Sequence, residues 1–437
     1  MTESPRSPIS LAGRYSAVRA RTERLCAPLA TEDYVVTAMT DASPAKWHLA
    51  HTTWFFETFV LVPHAPNYRP YDPAFAYLFN SYYVQAGERH CRAQRGLITR
   101  PTVREVYEYR HAVDEAIRGL LGGLMDDAGD VRGREIATLV TTGMQHEQQH
   151  QELLLTDLKY LFSVNPLQPA YDATPITGAA PAIGTKEDAA HATSWIDIAP
   201  GVAEFGYAGD AFCFDNETPR HRRYVDSARI ATTLVTNAEY LAFMADGGYR
   251  RAELWLSAGW ATAQERRWES PLYWERDDSS LGWRQFTLAG VQPVQPDAPV
   301  CHVSYYEADA YARWAASRDI PGARLPTEFE WEVAAPSPED SGDVTYANGD
   351  HGARDAGGWY GAVWQWTASP YVGYPGYRPA AGALGEYNGK FMSDQWVLRG
   401  SSLATPPGHV RRTYRNFFPA DARWQFTGIR LAVDVSA

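Results

Sequence analysis

The chain has 437 residues, of which 45% are hydrophobic and 13% aromatic, so it is long enough for roughly two or three domains with substantial cores. A net charge of −12 argues against nucleic acid or an anionic membrane as the main partner. The first residues form no apolar stretch typical of a signal peptide, and no window approaches about eighteen consecutive apolar residues. With four dispersed cysteines and no CxxC spacing, the sequence predicts a cytoplasmic protein with reduced thiols.

Four amphipathic helices are predicted in residues 1–165, because apolar residues recur there near the helical period of 3.6. Ser43 followed by Pro44 predicts an N-cap and a first helical residue. The predicted helices run from Leu11 to Leu29, from Pro44 to Phe59, from a cap at Thr102 to about Leu124, and from about Arg134 to Phe162. Together they predict a four-helix bundle, a fold in which metal sites are built from inward-facing side chains on different helices.

The remainder of the chain has a different texture. Residues 166–193 are rich in proline and small residues, which predicts a linker or an extended strap over the first domain. From residue 194 to 437, short strand patterns alternate with Gly and Pro turns, and the clearest helices are Asn237–Met244 and Tyr305–Ser317. The fold class predicted is therefore α+β, a helical bundle followed by a domain of short strands.

The stretch HEQQH places His146 and His150 four residues apart with Glu147 between them. On a helix both imidazoles lie on one side, one turn apart, and the HExxH pattern is typical of a zinc site whose glutamate is a general base. The extended zinc-protease pattern places a third histidine six residues after the second, where this chain has Thr156. A zinc-dependent hydrolase is therefore one open interpretation, although it lacks its downstream ligand.

A better candidate for the third ligand lies upstream, in KWHLAHTTWFFE, which contains His48 and His51. In a bundle, an inward-facing histidine of one helix can meet an HxxxH pair of another. Three histidine ligands on one side of an ion leave coordination positions open, as in the open-faced ligand sets of non-heme Fe(II) oxygen chemistry. Composition does not distinguish Fe(II) from Zn(II) at such a site.

These residues resemble a known family. KWHLAHTTWFFE and HEQQHQELLLTDLKY are similar to the DinB-like bundle of the ergothioneine-biosynthetic sulfoxide synthases. The second half resembles the formylglycine-generating-enzyme fold, a C-type-lectin-like domain, in these segments: FDNETPRH (214–221), VTNAEYLAF (235–243), VSYYEADAYARW (303–314), RLPTEFEWEVAA (324–335), AVWQWTASP (362–370), VLRGSS (397–402) and FTGIRLA (426–432). Formylglycine formation needs a cysteine pair near the C-terminus, and the last cysteine here is Cys301. The combined resemblance covers nearly the whole chain.

The resemblance implies an Fe(II)- and O2-dependent enzyme that joins a thiol sulfur to the imidazole C2 of Nα-trimethylhistidine (hercynine), giving a sulfoxide. Its partners would then be small molecules, namely hercynine, a thiol and O2. The iron ligands implied by the motifs are His51, His146 and His150, and His48 is then a structural residue. A non-catalytic lectin-like binding protein remains a further alternative, and the oligomeric state stays open.

The resemblance also implies substrate-binding residues. Arg92 and Arg95 match an arginine pair that binds the carboxylate of the thiol substrate, a task suited to guanidinium. The remaining implied substrate contacts are Gln149, Asn416, Phe417 and Phe418; aromatic faces suit a quaternary ammonium, which cannot donate a hydrogen bond. Members that use γ-glutamylcysteine carry an acidic residue where this chain has Phe418. This difference favours free cysteine as the sulfur donor.

A tyrosine near O2 is expected to donate a proton or hydrogen atom. The motif FNSYY offers Tyr82 and Tyr83, which match the tyrosine pair of one branch of the family. In another branch the tyrosine comes from the second domain, where Tyr374, Tyr377 and Tyr387 are the possible counterparts. We favour Tyr82 and Tyr83 as the catalytic residues, because TYRNFF and ARWQFTG resemble the first branch more closely.

Overall fold

The computed structural model describes residues 10–124, 130–172, 194–277, 282–338, 345–346, 353–354 and 357–435. By its internal contacts the chain divides into two compact units, Met1–Leu161 with Gly382–Leu384, and Phe162–Ala381 with Gly385–Ala437. The first unit is helical and the second combines short strands with a few helices, which confirms the α+β class. Most of the predicted linker, residues 173–193, lies outside the described part of the chain.

The first unit is built on four long helices, close to those that the apolar periodicity predicts. Its α-helices are α1 (Leu11–Cys26), α2 (Ala45–Phe56), α3 (Val62–His64), α4 (Phe75–Leu78), α5 (Val103–Gly122) and α6 (Val131–Ser163). A π-helical turn, Glu57–Leu61, joins α2 to α3. Such turns are rare and occur mostly as single insertions within helices. The HEQQH motif lies in the middle of α6, which has 33 residues.

Helix α2 is the most enclosed element of this unit. Every residue from Ala45 to Phe56 is buried, including both histidines of KWHLAH. It packs against α5, which also contacts α1. A helix that is buried on all sides lies within a core, so α2 presents its histidines to the interior of the bundle.

Helix starts show one confirmed and one wrong prediction. Thr102 caps α5 as predicted: its hydroxyl accepts from the Glu105 N–H (3.3 Å), and the Glu105 carboxylate accepts from the Thr102 N–H (2.7 Å). The N-cap of α2 is Pro44 rather than Ser43, and no side chain caps it. The Ser43 hydroxyl instead accepts a hydrogen bond from Arg95 (2.9 Å). The Ser43 hydroxyl, which the sequence predicts to cap α2, therefore binds the buried guanidinium of Arg95.

The second unit contains small, mostly antiparallel sheets. Its strands are β1 (Trp195–Ile198), β2 (Gly201–Phe205), β3 (His221–Val225), β4 (Ala228–Ala231), β5 (Trp274–Asp277), β6 (Gly282–Thr287), β7 (Gly290–Pro293), β8 (Ala323–Arg324), β9 (Thr345–Tyr346), β10 (Ala353–Arg354), β11 (Trp364–Pro370), β12 (Trp396–Gly400), β13 (Asn416–Phe418), β14 (Thr427–Gly428) and β15 (Ala432–Asp434). The two four-stranded sheets have the orders β1-β4-β15-β8 and β13-β12-β11-β14. In the second of these sheets, β14 pairs with β11 in parallel.

In the described part of the second unit, these sheets are accompanied by the α-helices α7 (Asn237–Ala245), α8 (Ser257–Glu265), α9 (Tyr305–Ala316) and α10 (Glu328–Ala334). Several charged residues of the family-like segments in this unit form buried ion pairs. Arg415 binds Glu328 at the start of α10 (2.7 Å), and Arg411 binds Glu217 of FDNETPRH (2.8 Å). Each of these buried charges therefore has an oppositely charged partner within the second unit.

All four cysteines lie in the described part of the chain, and none forms a disulfide. Among the described residues, no helix is both long enough and apolar enough to cross a bilayer.

Candidate metal centre

Three histidines from two helices meet inside the first unit. His51 comes from α2, and His146 and His150 come from α6; one nitrogen of each lies within 4.8 Å of the others. The Nε2 atoms of His51 and His146 are 3.2 Å apart. The structure thus brings together the three residues that the sequence predicts as metal ligands.

The ring of His51 is fixed from behind and from the side. Its Nδ1–H donates to the carbonyl of Phe79 (2.6 Å), which leaves the Nε2 lone pair directed at His146. The indole of Trp47 stacks on the same imidazole, with ring centroids 4.4 Å apart and planes inclined by 12°. Trp54 stacks on it less closely, at 5.6 Å. This packing orients His51 before any ion binds.

Burial keeps all three imidazoles uncharged. It lowers the pKa of His146 to about 3, and it also lowers the pKa of His51 and of His150. The proximity of His146 lowers the pKa values of the other two further, because neighbouring positive charges repel. Neutral imidazole is the form that binds transition metals. At neutral pH the three rings are therefore in the form that can bind a cation.

Glu147, the glutamate of HEQQH, is completely buried and faces a different set of partners. Its carboxylate accepts from Arg19 (2.8 Å), from Arg110 (2.6 Å) and from the Thr22 hydroxyl (2.5 Å). The two guanidinium groups hold the pKa of Glu147 at about 2 against the opposing effect of burial. A carboxylate bound in this way does not accept a proton near neutral pH.

This ion-pair network extends across the bundle. Arg19 also binds the carboxylate of Asp114 (2.6 Å) and the hydroxyl of Thr53 (2.9 Å), and Tyr15 donates to Asp114 (2.6 Å). The network joins α1, α2, α5 and α6. Glu147 thus belongs to the scaffold of the centre, which argues against the zinc-hydrolase interpretation in which Glu147 is the general base.

The two predicted arginines differ in their surroundings. Arg95 is buried and donates to the hydroxyls of Ser43 (2.9 Å) and Ser81 (3.0 Å), and no acidic side chain among the described residues forms an ion pair with it. Burial lowers its pKa to about 9. Its guanidinium lies 3.4 Å over the ring of Trp47, the indole that also stacks on His51. Arg92 is exposed and donates to the carbonyl of Asp41.

The FNSYY segment, residues 79–83, contains the two predicted tyrosines and packs near the histidine cluster. Asn80 shapes its turn by accepting from the Tyr83 N–H (3.2 Å) and donating to the Tyr83 carbonyl (3.0 Å). Tyr83 is buried and packs 5.6 Å from Trp54, which in turn stacks on His51. Tyr82 is half-buried and stacks on Tyr83 (4.6 Å). Trp54 therefore links Tyr83 to His51, and Phe55 links it to His146, with ring centroids 6.4 Å from Tyr83 and 4.8 Å from His146.

Gln149 lies on α6 beside His150 and is half-buried. Asn416, Phe417 and Phe418 form β13 in the second unit, each half-buried. Phe417 stacks on Tyr371, with ring centroids 4.0 Å apart. The substrate-binding roles of these four residues stay predictions.

Two second-unit tyrosines already donate their hydroxyl protons. Tyr377 donates to Asp215 (2.8 Å), and Tyr374 lies 3.4 Å from Glu328 as a donor. Burial, followed by these carboxylates, raises the pKa of both phenols. Tyr387 is buried and stacks on Phe214 (5.4 Å).

Three residues of the centre are not in the predicted set of functional residues. The carbonyl of Phe79 leaves no trace in a sequence, because any residue supplies one. Asp157, whose Oδ2 lies 3.1 Å from Nε2 of His48, comes seven residues after His150, a spacing that returns to the same side of a helix and could have identified it. His48 is visible in the sequence, but the family motif implies only a structural role for it.

Comparisons with known proteins agree with this architecture. Residues 14–154 match the model of the DinB superfamily, and residues 180–360 match that of the sulfatase-modifying factor enzyme 1-like domain. A hercynine oxygenase of Mycolicibacterium thermoresistibile is 31% identical, over 90% of this chain and 88% of its own. The hercynine oxygenase of Mycobacterium tuberculosis is 32% identical, over 98% of this chain and all of its own. Ergothioneine biosynthesis protein 1 of Schizosaccharomyces pombe is 25% identical over 50% of this chain and 27% of its own.

These similarities span both units, whereas a zinc hydrolase or a lectin-like binding protein would account for one unit at most. With relatives above 30% identity that align over nearly the whole chain, the protein belongs to the hercynine oxygenase family.

Proposed function

We propose that this protein is an iron(II)-dependent sulfoxide synthase of ergothioneine biosynthesis. It would use O2 to join the sulfur of a thiol to the imidazole C2 of hercynine. The observation that carries the proposal is the cluster of three uncharged histidines, with nitrogens within 4.8 Å of one another, in a chain of the hercynine oxygenase family.

The donor set fits iron(II). Imidazole nitrogen is a common ligand for divalent iron, and a site with only three protein ligands keeps open positions. The ligands would be His51, His146 and His150, each through a neutral ring. Bound iron(II) would supply a Lewis acid that lowers the pKa of a thiol and a reductant for O2.

Arg95, together with Arg92, would bind the carboxylate of the thiol substrate. The buried guanidinium of Arg95 donates to two serine hydroxyls, and it forms no ion pair with a carboxylate of the described residues, whereas buried arginines are normally paired with a negative charge. A substrate carboxylate would supply that charge through a bidentate pair. Trp47 contacts both Arg95 and His51, so a thiol substrate held by Arg95 would lie beside the histidine cluster.

Tyr83 or Tyr82 would deliver the proton. Both lie in the aromatic layer that includes Trp54 and reaches His51. In the second unit, Tyr374 and Tyr377 already direct their hydroxyl hydrogens to carboxylates, which disfavours them as donors to another acceptor. This difference supports the FNSYY pair.

For the sulfur donor we propose free cysteine. The acidic residue that helps to hold γ-glutamylcysteine in some relatives is replaced here by Phe418, which packs against Trp424 (6.1 Å between ring centroids). A phenyl ring in that place cannot accept the hydrogen bond that the carboxylate of those relatives can accept from γ-glutamylcysteine.

The test is O2 consumption by protein loaded anaerobically with Fe(II), with mass spectrometry of the product. We expect O2 uptake only when hercynine and a thiol are both present, a faster reaction with cysteine than with γ-glutamylcysteine, and a product carrying both skeletons and one oxygen on sulfur. Tightly retained zinc, with no O2 uptake on adding both substrates, would refute the proposal. His51→Ala is the inactive reference, and His111→Ala, which removes an exposed histidine of α5, is the matched control.

A further inference from the structure

His48 lies on α2, one turn before His51, and is almost fully buried (2% exposed). It is not one of the three clustered histidines, yet its Nδ1 lies 2.8 Å from Nδ1 of His150. Two ring nitrogens at this distance share one hydrogen, so one of them donates and the other accepts.

The opposite side of the His48 ring contacts a buried carboxylate. Nε2 of His48 lies 3.1 Å from Oδ2 of Asp157, and the same oxygen accepts from the Ser43 N–H (2.8 Å). Asp157 lies on α6, two turns after His150, and is 7% exposed. A continuous chain of polar groups thus leads from His150 through His48 to Asp157.

The direction of this chain follows from the chemistry of its last member. A carboxylate only accepts, so Nε2 of His48 carries the hydrogen that binds Asp157. An imidazole whose one hydrogen is on Nε2 has a lone pair on Nδ1, and this lone pair of His48 can accept the hydrogen on Nδ1 of His150. With its hydrogen on Nδ1, His150 has its free lone pair on Nε2.

We propose that His48 and Asp157 are positioning residues that hold His150 in the tautomer and ring orientation required of a metal ligand. The inference rests on the metal centre proposed above. It gives His150 an outer partner equivalent to the Phe79 carbonyl behind His51. Outer partners of ligating histidines typically contribute 10- to 100-fold in metal affinity.

The experiment is an anaerobic titration of the metal-free, full-length protein with Co(II), followed by its visible absorption. His48→Leu removes the acceptor from His150, and we expect Co(II) affinity to fall about 10- to 100-fold with a changed spectrum. His48→Asn can place an oxygen near the position of Nδ1, so it should recover most of the affinity. Asp157→Asn, which keeps the shape but removes the charge, should weaken binding by about three- to tenfold.

The matched control is Glu57→Gln. Glu57 is a buried carboxylate of the same unit that accepts from Tyr68 and Tyr109, and its hydrogen bonds within the described part of the chain go to neither His48 nor the three clustered histidines. Its substitution should leave affinity and spectrum unchanged. Thermal unfolding of each metal-free variant verifies folding, and if His48→Leu does not fold, Asp157→Asn decides.

Wild-type affinity and an unchanged spectrum in the folded His48→Leu and Asp157→Asn proteins would overturn the inference. A wild-type protein that binds no Co(II) would overturn the metal centre itself. Normal Co(II) binding without hercynine-dependent O2 uptake by the iron-loaded protein would refute the proposed reaction and leave the role of His48 standing.

Discussion

His146 and Glu147 are neighbours in sequence, but they lie in opposite electrostatic surroundings. Successive helical residues point about 100° apart, so one faces the histidine cluster and the other faces the ion-pair network. Both are fully buried, and the pKa of each falls, to about 3 for His146 and about 2 for Glu147. Near neutral pH the histidine is therefore uncharged, while the glutamate stays ionised.

The comparison shows that burial alone does not decide which form a group adopts. His146 has other histidines beside it, so burial favours its neutral form. Glu147 has the guanidinium groups of Arg19 and Arg110, whose attraction exceeds the cost of burial. The charged side of α6 fixes the helix, and the uncharged side is left able to receive a cation.

Removing a histidine from the uncharged side should have the largest effect. We expect His146→Ala to abolish metal binding and turnover, because two imidazoles hold a divalent ion far more weakly than three. Metal content after anaerobic loading and O2 uptake measure the two effects. Full activity in this variant would contradict the ligand assignment.

Removing the charge on the other side should affect stability before chemistry. Glu147→Ala removes the carboxylate that Arg19 and Arg110 share and leaves each buried guanidinium with one acidic partner fewer, so we expect the free energy of unfolding to drop by about 3–5 kcal/mol. Urea unfolding measures it. Glu135→Ala, at an exposed position of the same helix, should change it by less than about 0.5 kcal/mol. Equal effects of the two variants would show that the network does not stabilise the bundle.

In metal-free protein, the contributions of His146 and Glu147 to the free energy of unfolding should also depend on pH in different ranges. In the unfolded chain, His146 takes up a proton below its ordinary pKa of 6.5, whereas in the folded protein it does so only near pH 3. Because the unfolded state binds more protons between these values, the contribution of His146 to stability falls as the pH drops from about 6.5. Glu147 is ionised in the folded state down to about pH 2 but protonated when unfolded below 4.5, so its contribution is lost only below about 4.5.

Urea unfolding at pH 7, 5.5 and 4 tests these windows. His146→Ala should reduce the decline between pH 7 and 5.5 without abolishing it, because burial also lowers the pKa of His51 and of His150. Glu147→Gln should leave that part unchanged and reduce the decline below pH 4.5. A wild-type stability that rises on acidification from pH 7 to 5.5 would contradict the His146 assignment, and an unchanged decline below pH 4.5 in Glu147→Gln would contradict that of Glu147.

A smaller effect is expected from Arg92→Ala. Losing a charge-assisted hydrogen bond to the thiol carboxylate costs about 1.5–3 kcal/mol, so KM for the thiol should rise roughly 10- to 100-fold and KM for hercynine should change little. Steady-state kinetics with each substrate varied measures this. If KM rose equally for the thiol and for hercynine, Arg92 would not be a residue that binds the thiol carboxylate.

The smallest effect is expected from an exposed ion pair. Arg104 binds Glu108 one turn later on α5 (3.4 Å), and both are largely exposed. Arg104→Ala should change the free energy of unfolding by less than about 0.5 kcal/mol, because water screens such pairs. A loss approaching that of Glu147→Ala would mean that burial is not what distinguishes the network.

The sequence predicts the parts of this site that depend on local spacing. HEQQH places His146 and His150 on one side of a helix, Thr102 marks the start of α5, and the motif KWHLAH supplies His51 through the family resemblance. The two-unit α+β class follows from the change of apolar period along the chain. Each of these predictions depends on residues that lie close together in sequence or on a recognisable motif.

The partners of Glu147 could not be predicted in this way. Arg19 is 128 residues away in sequence and Arg110 is 37 away, and only the packing of α1, α5 and α6 brings them together. The same holds for Ser43, which the local pattern assigns as a helix cap and the fold assigns to Arg95. Long-range contacts decide such roles, and neither spacing nor propensity records them.

The most direct test is a crystal structure of the anaerobically iron-loaded protein with an anomalous difference map at the iron edge. The account predicts one peak per chain, within coordination distance, about 2.1 Å, of one nitrogen of each of His51, His146 and His150. A peak bound to the α6 pair alone, or located away from these side chains, would contradict it.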